Sequence, residues 1–195
     1  TGAITTIAAS GSTSTISTSP SAIAVDGAGN VYFTDSYYVR KVTSDGTVTP
    51  VAGTDKYSAG TGDGGPATSA YLAQPSGVAL DAAGNLYIAV ESDHRIRKVT
   101  PDGTISTVAG TGVSGYSGDG GPATSAKITS PRRIAVDAAS NLYILHSGSI
   151  GSGGGPYIRR VASDGAITTV GGTAQALPGA DLAVDAGSVG VVGTP

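Results

Sequence analysis

The sequence predicts an all-β fold made of repeated four-stranded antiparallel units, and three observations carry that prediction. First, a block recurs three times in one order: "PSAIAVDGAGNVYFTD" from Pro20, "PSGVALDAAGNLYIAV" from Pro75 and "PRRIAVDAASNLYILH" from Pro131, with starts 55 and 56 residues apart. Second, each block is followed by the same second half: "VRKVTSDGTVTPVAG" from Val39, "IRKVTPDGTISTVAG" from Ile96 and "IRRVASDGAITTVGG" from Ile158. Third, charged residues make up only 13% of the 195-residue chain and Glu91 is its sole glutamate, so strong helix formers are scarce beside Ser, Thr and Gly.

Within a unit, runs rich in Val, Ile, Tyr and Thr alternate with turn residues, which is a strand signature. For the middle unit the strands are expected near Gly77 to Asp81, Asn85 to Val90, Ile96 to Thr100 and Thr104 to Ala109. The three asparagines, Asn30, Asn85 and Asn141, share one phase just before "VY" or "LY". Asn tolerates the left-handed conformation, so these residues are expected at a hairpin exit between the first and second strands. Asp45, Asp102 and Asp164, each before Gly, mark the second hairpin. Four antiparallel strands repeated about every 55 residues describe the blades of a β-propeller.

The predicted layout is a single propeller segment over 1–195, with blades at about 20–54, 75–111 and 131–173 and partial strands at 1–9 and 180–195. "TGAITTIAA" at Thr1 matches "DGAITTVGG" from Asp164, so the chain opens on a fourth strand. "ADLAVDAGSVGVVGTP" from Ala180 matches a first strand and part of a second. Unpaired strand edges recruit partners. The expectation is that the two ends complete one another, within one chain or between copies, using Ile4, Thr5, Thr6 and Ile7 against Leu182, Ala183, Val184, Val189 and Val191. The other expectation is a segment cut from a longer array of blades, which the absence of Met also fits.

Composition bounds the chemistry. The apolar fraction is 39%, mean hydropathy is +0.10, and no 18-residue apolar run exists, so no membrane insertion is expected. Net charge is −3 with a pI near 5.1, which offers no attraction to a phosphate backbone, and no nucleic-acid partner is expected. Without Cys there is no disulfide framework and no thiolate site. A Ser/Thr-rich chain of this kind fits an extracellular or cell-surface location.

The nine residues "GDGGPATSA" occur twice, at Gly62–Ala70 and Gly118–Ala126. A phosphate loop needs Lys after its last Gly, where this stretch has Pro, and a calcium loop needs several neighbouring acids, where Asp119 is alone and Asp63 has only Asp55. The remaining reading is a connector between blades. Its glycines supply positive φ, its Asp caps loop amides, and Pro66 or Pro122 starts a single helical turn.

Asp26, Asp81, Asp137 and Asp185 close the first strand of successive units and are read as hairpin hydrogen-bonding residues. Arg40–Lys41, Arg97–Lys98 and Arg159–Arg160 recur in the third strands. Because neighbours on a strand point to opposite faces, one of each pair sits between blades, and the first can form a buried bridge such as Arg40 with Asp35. His94 and His146 fall at different phases and are read as lone surface residues; His146 stands at the phase of Val90. Tyr32, Tyr87 and Tyr143 are assigned to packing. Tyr37, Tyr38, Tyr57, Tyr71 and Tyr116 fall in connectors and are the candidate partner-binding residues. "HSGSIGSGGGPY", His146 to Tyr157, lengthens one hairpin.

These motifs resemble the NHL-repeat family in its long-repeat bacterial form, through "GNLYIA", "HRIRKVTPDGTISTVAGTG" and "GYSGDGGPATSA" from Gly115. The resemblance implies a β-propeller and a protein-binding platform, with RNA-binding surfaces in some relatives and metal-dependent lyases in a few. A lyase site would require metal-binding histidines gathered near the axis, and two histidines out of phase do not supply one; a lactonase-like site would require carboxylate and amide ligands at the central channel, and the recurrent Asp26, Asp81, Asp137 and Asp185 are read instead as hairpin residues. The expected function is therefore a non-enzymatic scaffold or assembly module without cofactor or metal. Its expected partner is itself or another protein, and the alternative is a ligand- or protein-binding propeller cut from a longer array, or else a metal-dependent lyase- or lactonase-like enzyme.

Overall fold

The computed structural model describes residues 20–57, 61–147, 156–172, 184–185 and 188–189. The first sheet comprises β1 (Pro20–Val25), β2 (Val31–Asp35), β3 (Tyr38–Val42) and β4 (Val48–Gly53). The second comprises β5 (Pro75–Leu80), β6 (Leu86–Val90), β7 (Arg95–Val99) and β8 (Ile105–Ala109). The third comprises β9 (Pro131–Val136), β10 (Leu142–His146), β11 (Tyr157–Val161) and β12 (Ile167–Gly171). Each is antiparallel, with its strands in sequence order, so each is one blade. The middle-unit strands fall within two residues of the sequence expectation.

The strands read as continuous apolar runs because both faces of a blade are covered. In β6, Leu86, Ile88 and Val90 join a core with Val39 and Ala52 of the first blade, while Tyr87 and Ala89 join a core with Leu142, Ile144 and Val161 of the third. All five residues of β6 are buried.

The first strands lie side by side. Ser21 Oγ donates to Pro75 O at 3.5 Å and Ser76 Oγ to Pro131 O at 2.9 Å. The contact is close enough that a Cβ on Gly77 would stand 2.8 Å from Arg132 O. Each third strand carries a register shift against its fourth: between Val39 and Arg40, between Ile96 and Arg97, and between Ile158 and Arg159. Such a bulge twists the strand and re-aims the basic side chain.

The predicted strand at 1–9 lies outside the described residues, as do Ile4, Thr5, Thr6, Ile7, Leu182, Ala183 and Val191. Val184 and Val189 pair with each other, joining β13 (Val184–Asp185) to β14 (Ser188–Val189) in a two-stranded antiparallel sheet.

Candidate functional site

Three kinds of polar site emerge from the repeat: hairpin carboxylates, interblade guanidinium pairs and a tyrosine cluster. At the hairpins, Asp26 Oδ1 accepts the backbone N–H groups of Ala28 and Asn30 at 3.0 and 2.8 Å, and its Oδ2 accepts the Asn30 amide at 2.8 Å. Asp81 and Asp137 repeat this set with Ala83, Asn85, Ala139 and Asn141. The hydroxyls of Tyr87 and Tyr143 complete it at 3.2 Å. Bonds led by the asparagine side chain hold Asp26 and Asp137 below the usual carboxylate range. At Asp81 burial pushes the other way, and the bonds from Asn85, Tyr87 and Ala83 outweigh it.

The hairpin reading needs one correction. The left-handed residue is not the asparagine but its predecessor: Gly29 at φ 81°, Gly84 at 80° and Ser140 at 62°. The asparagine serves instead as a side-chain donor to the aspartate.

The recurring connector has a second role. Each connector lies along the outer strand of the blade it enters. Gly64 N–H donates to Ile105 O, Ile105 N–H donates to Gly65 O, and Ala67 N–H donates to Gly103 O. Pro66 or Pro122 precedes a single 3-10 turn, Ala67–Ser69 or Ala123–Ser125, as the sequence suggested. Gly118 is at φ 91°, and a Cβ there would meet Ala126 at 2.8 Å.

The acid of this connector was expected to cap loop amides. Instead, Asp63 Oδ1 accepts Arg97 Nη2 at 2.5 Å, and Asp119 Oδ1 accepts Arg159 Nε at 3.0 Å and Nη2 at 2.5 Å. Both arginines are fully buried, while the two acids are about a third exposed. Arg159 also donates to Lys127 O and Ser117 O, and Asp119 Oδ2 accepts Thr169 N–H at 3.1 Å. In the first blade Arg40 pairs with Asp35 at 2.6 Å, as predicted.

His146 also departs from its expected surface setting. It is fully buried, its ring stacks on Tyr157 at 4.4 Å and 9°, and its Nδ1 lies 3.1 Å from Thr129 O. Burial pushes its pKa down to about 4, so the ring is neutral and Nδ1–H donates. His94 Nδ1 accepts the Ser130 N–H at 3.1 Å. Among the described residues, no three His, Asp or Glu side chains gather where a metal ion could be held.

The five connector tyrosines separate. Tyr37, Tyr57 and Tyr71 come together: the Tyr71 ring centroid lies 5.5 Å from that of Tyr37 and 5.3 Å from that of Tyr57. Tyr57 is 79% exposed and Tyr37 43%. Tyr38 lies within β3 rather than in a connector. The Arg40 guanidinium sits 4.7 Å from its ring, and its hydroxyl accepts Asp55 N–H. Tyr116 is in a connector, but its hydroxyl donates to Asp119 Oδ2 at 2.8 Å and its ring meets Tyr157 edge-on at 5.4 Å. It therefore belongs to the Arg159 network.

Residues 56–117 match the family described as the teneurin NHL domain. No curated protein matches the chain significantly. Among solved structures, a nidogen/laminin complex aligns with TM-score 0.55 at 20% identity, over 80% of this chain and 49% of that one. A protein of unknown function from Bacteroides thetaiotaomicron aligns with TM-score 0.52 at 30% identity, over 60% and 29%. A gluconolactonase from Xanthomonas campestris aligns with TM-score 0.54 at 16% identity, over 77% and 46%. The chain spans less than half the length of each. The sequence is NHL-like over the matched stretch, and the fold is that of a β-propeller.

Proposed function

We propose that this NHL-like propeller segment is a non-enzymatic binding and assembly module, acting outside the cell or on its surface, whose end blades join further blades of the same kind, a second copy first among them. One observation carries the proposal. Ile23 and Val25 on β1 are 68% and 59% exposed. At the same phase Val78 and Leu80 of β5 pack against the first blade, and Ile134 and Val136 of β9 pack against the second.

The opposite end of the stack has the matching property. Leu145 is 37% exposed, whereas its counterparts Thr34 and Ala89 are buried, Ala89 against the following blade. Among the described residues, Ile23 and Val25 thus leave apolar surface open on the incoming side and Leu145 on the outgoing side, while Phe33, Val42 and Val48 of the first blade are buried. Heterologous contact between such faces builds rings or filaments. Burial of apolar side chains at about 25 cal/mol per Å² supplies the drive. The non-enzymatic part is supported by both histidines being committed to backbone groups.

Sedimentation velocity over a rising concentration series tests the proposal. Association is expected to grow with concentration and to be abolished by Ile23→Asp combined with Val25→Asp. A monomer throughout, or association indifferent to those substitutions, would overturn it.

A further inference from the structure

The cluster of Tyr37, Tyr57 and Tyr71 lies where the β2–β3 turn, the segment after β4 and the approach to β5 converge. With Ser36, Ala73, Gln74 and Ser92, Tyr37 and Tyr71 line an open concavity of about 470 Å³. That volume is within the range of small-molecule sites. Among the described residues, no charged side chain lines it.

The repeat itself provides an internal control. The second connector follows the first at an offset of 56 residues, which places Val113 and Lys127 where Tyr57 and Tyr71 stand. The residue just before the third strand is Tyr37 in the first blade and His94 in the second. The second junction is built on the same connector pairing and the same 3-10 turn without any of these rings. The aromatic set is therefore not a requirement of the architecture.

The ring geometry narrows the ligand. Centroid separations of 5.3 and 5.5 Å, at interplanar angles of 71° and 31°, are contact distances between aromatic rings. A cation cage needs an ammonium slot between its rings, and here the rings fill that space themselves. What they offer is an outward platform with a polar rim. Ser92 Oγ donates to Gln74 Oε1 at 2.7 Å, and no described residue takes the Gln74 amide hydrogens.

We infer that this platform binds a neutral oligosaccharide. The C–H face of a pyranose lies on an aromatic face, whose negative quadrupole attracts it, while its hydroxyls need both donors and acceptors at the rim. Ser36, Gln74 and Ser92 provide both kinds without a charge. A proline-rich peptide also lies on aromatic grooves, but its backbone is poor in donors and leaves the acceptors of this rim unanswered.

The test is an NMR titration of the full chain with cellotetraose, maltotetraose and tetra-N-acetylchitotetraose, read at the tyrosine rings, beside a titration with decaproline. At least one tetrasaccharide is expected to shift Tyr37, Tyr57 and Tyr71 saturably. Tyr71→Lys and Tyr57→Val, which install the residues of the second junction, are each expected to weaken that binding about tenfold. An unchanged melting temperature shows that the variants fold. The inference is overturned if no tetrasaccharide moves these rings, if both variants bind like the parent, or if decaproline binds more tightly than every sugar.

Discussion

Asp119 neutralises Arg159 across 40 residues of chain: one carboxylate oxygen takes two guanidinium N–H groups, and the other takes Thr169 N–H and the Tyr116 hydroxyl. Asp119→Ala leaves a fully buried guanidinium without its counter-ion and is expected to cost about 3 kcal/mol, the low end for a broken buried pair because the acid is partly exposed. Adding Arg159→Met is expected to recover much of that loss. Urea denaturation of the two single variants and the double variant completes the cycle, and purely additive losses would contradict the pairing.

His146 sets a mildly acidic window. Its folded pKa is near 4 and its unfolded value is near 6.5, so below pH 6.5 protons bind the unfolded chain preferentially. Stability is then lost progressively between pH 6.5 and 4, by up to about 3 kcal/mol from this residue. His146→Val, the residue found at the same phase as Val90, is expected to flatten that part of the profile. Denaturation midpoints at pH 7, 5.5 and 4 for both proteins provide the comparison.

The hairpin aspartates act at lower pH. Their folded pKa values are held below the ordinary 3.8, so their stabilisation is complete above that value and is lost as pH falls through the depressed ones. Asp81→Ala, which removes the acceptor for Ala83, Asn85 and Tyr87, is expected to cost about 2 kcal/mol at pH 7. Circular dichroism during acid titration is expected to show a smaller loss below pH 4 in the variant.

Gly77 tests the closeness of the first strands. A Cβ there would stand 2.8 Å from Arg132 O and 3.3 Å from Ala89 Cβ, so Gly77→Ala is expected to cost about 1–3 kcal/mol by overpacking. An unchanged melting temperature would mean that β5 and β9 can separate without penalty.

The blades were legible because strand period, hairpin residues and repeat phase all operate within about 55 residues. Arg40 with Asp35 was legible for the same reason, since five residues separate them. The partners of Arg97 and Arg159 were not, because side-chain direction in a glycine-rich connector follows no period and the contacts span 34 and 40 residues. A signal did exist. The phase of Asp35 holds Val90 and His146 in the other two blades, so the acid missing from the strand reappears in the connector. The burial of His146 was hidden because stacking on Tyr157 depends on how the residues flanking the inserted glycine loop are brought back together.

The connector acid always precedes, in the chain, the arginine it neutralises. As the polypeptide leaves the ribosome, the carboxylate of Asp63 or Asp119 is synthesised before Arg97 or Arg159. Each guanidinium therefore meets a counter-ion already made, and its burial is completed when the outer strand that pairs with the connector follows, so the blades are able to form in the order in which they are translated.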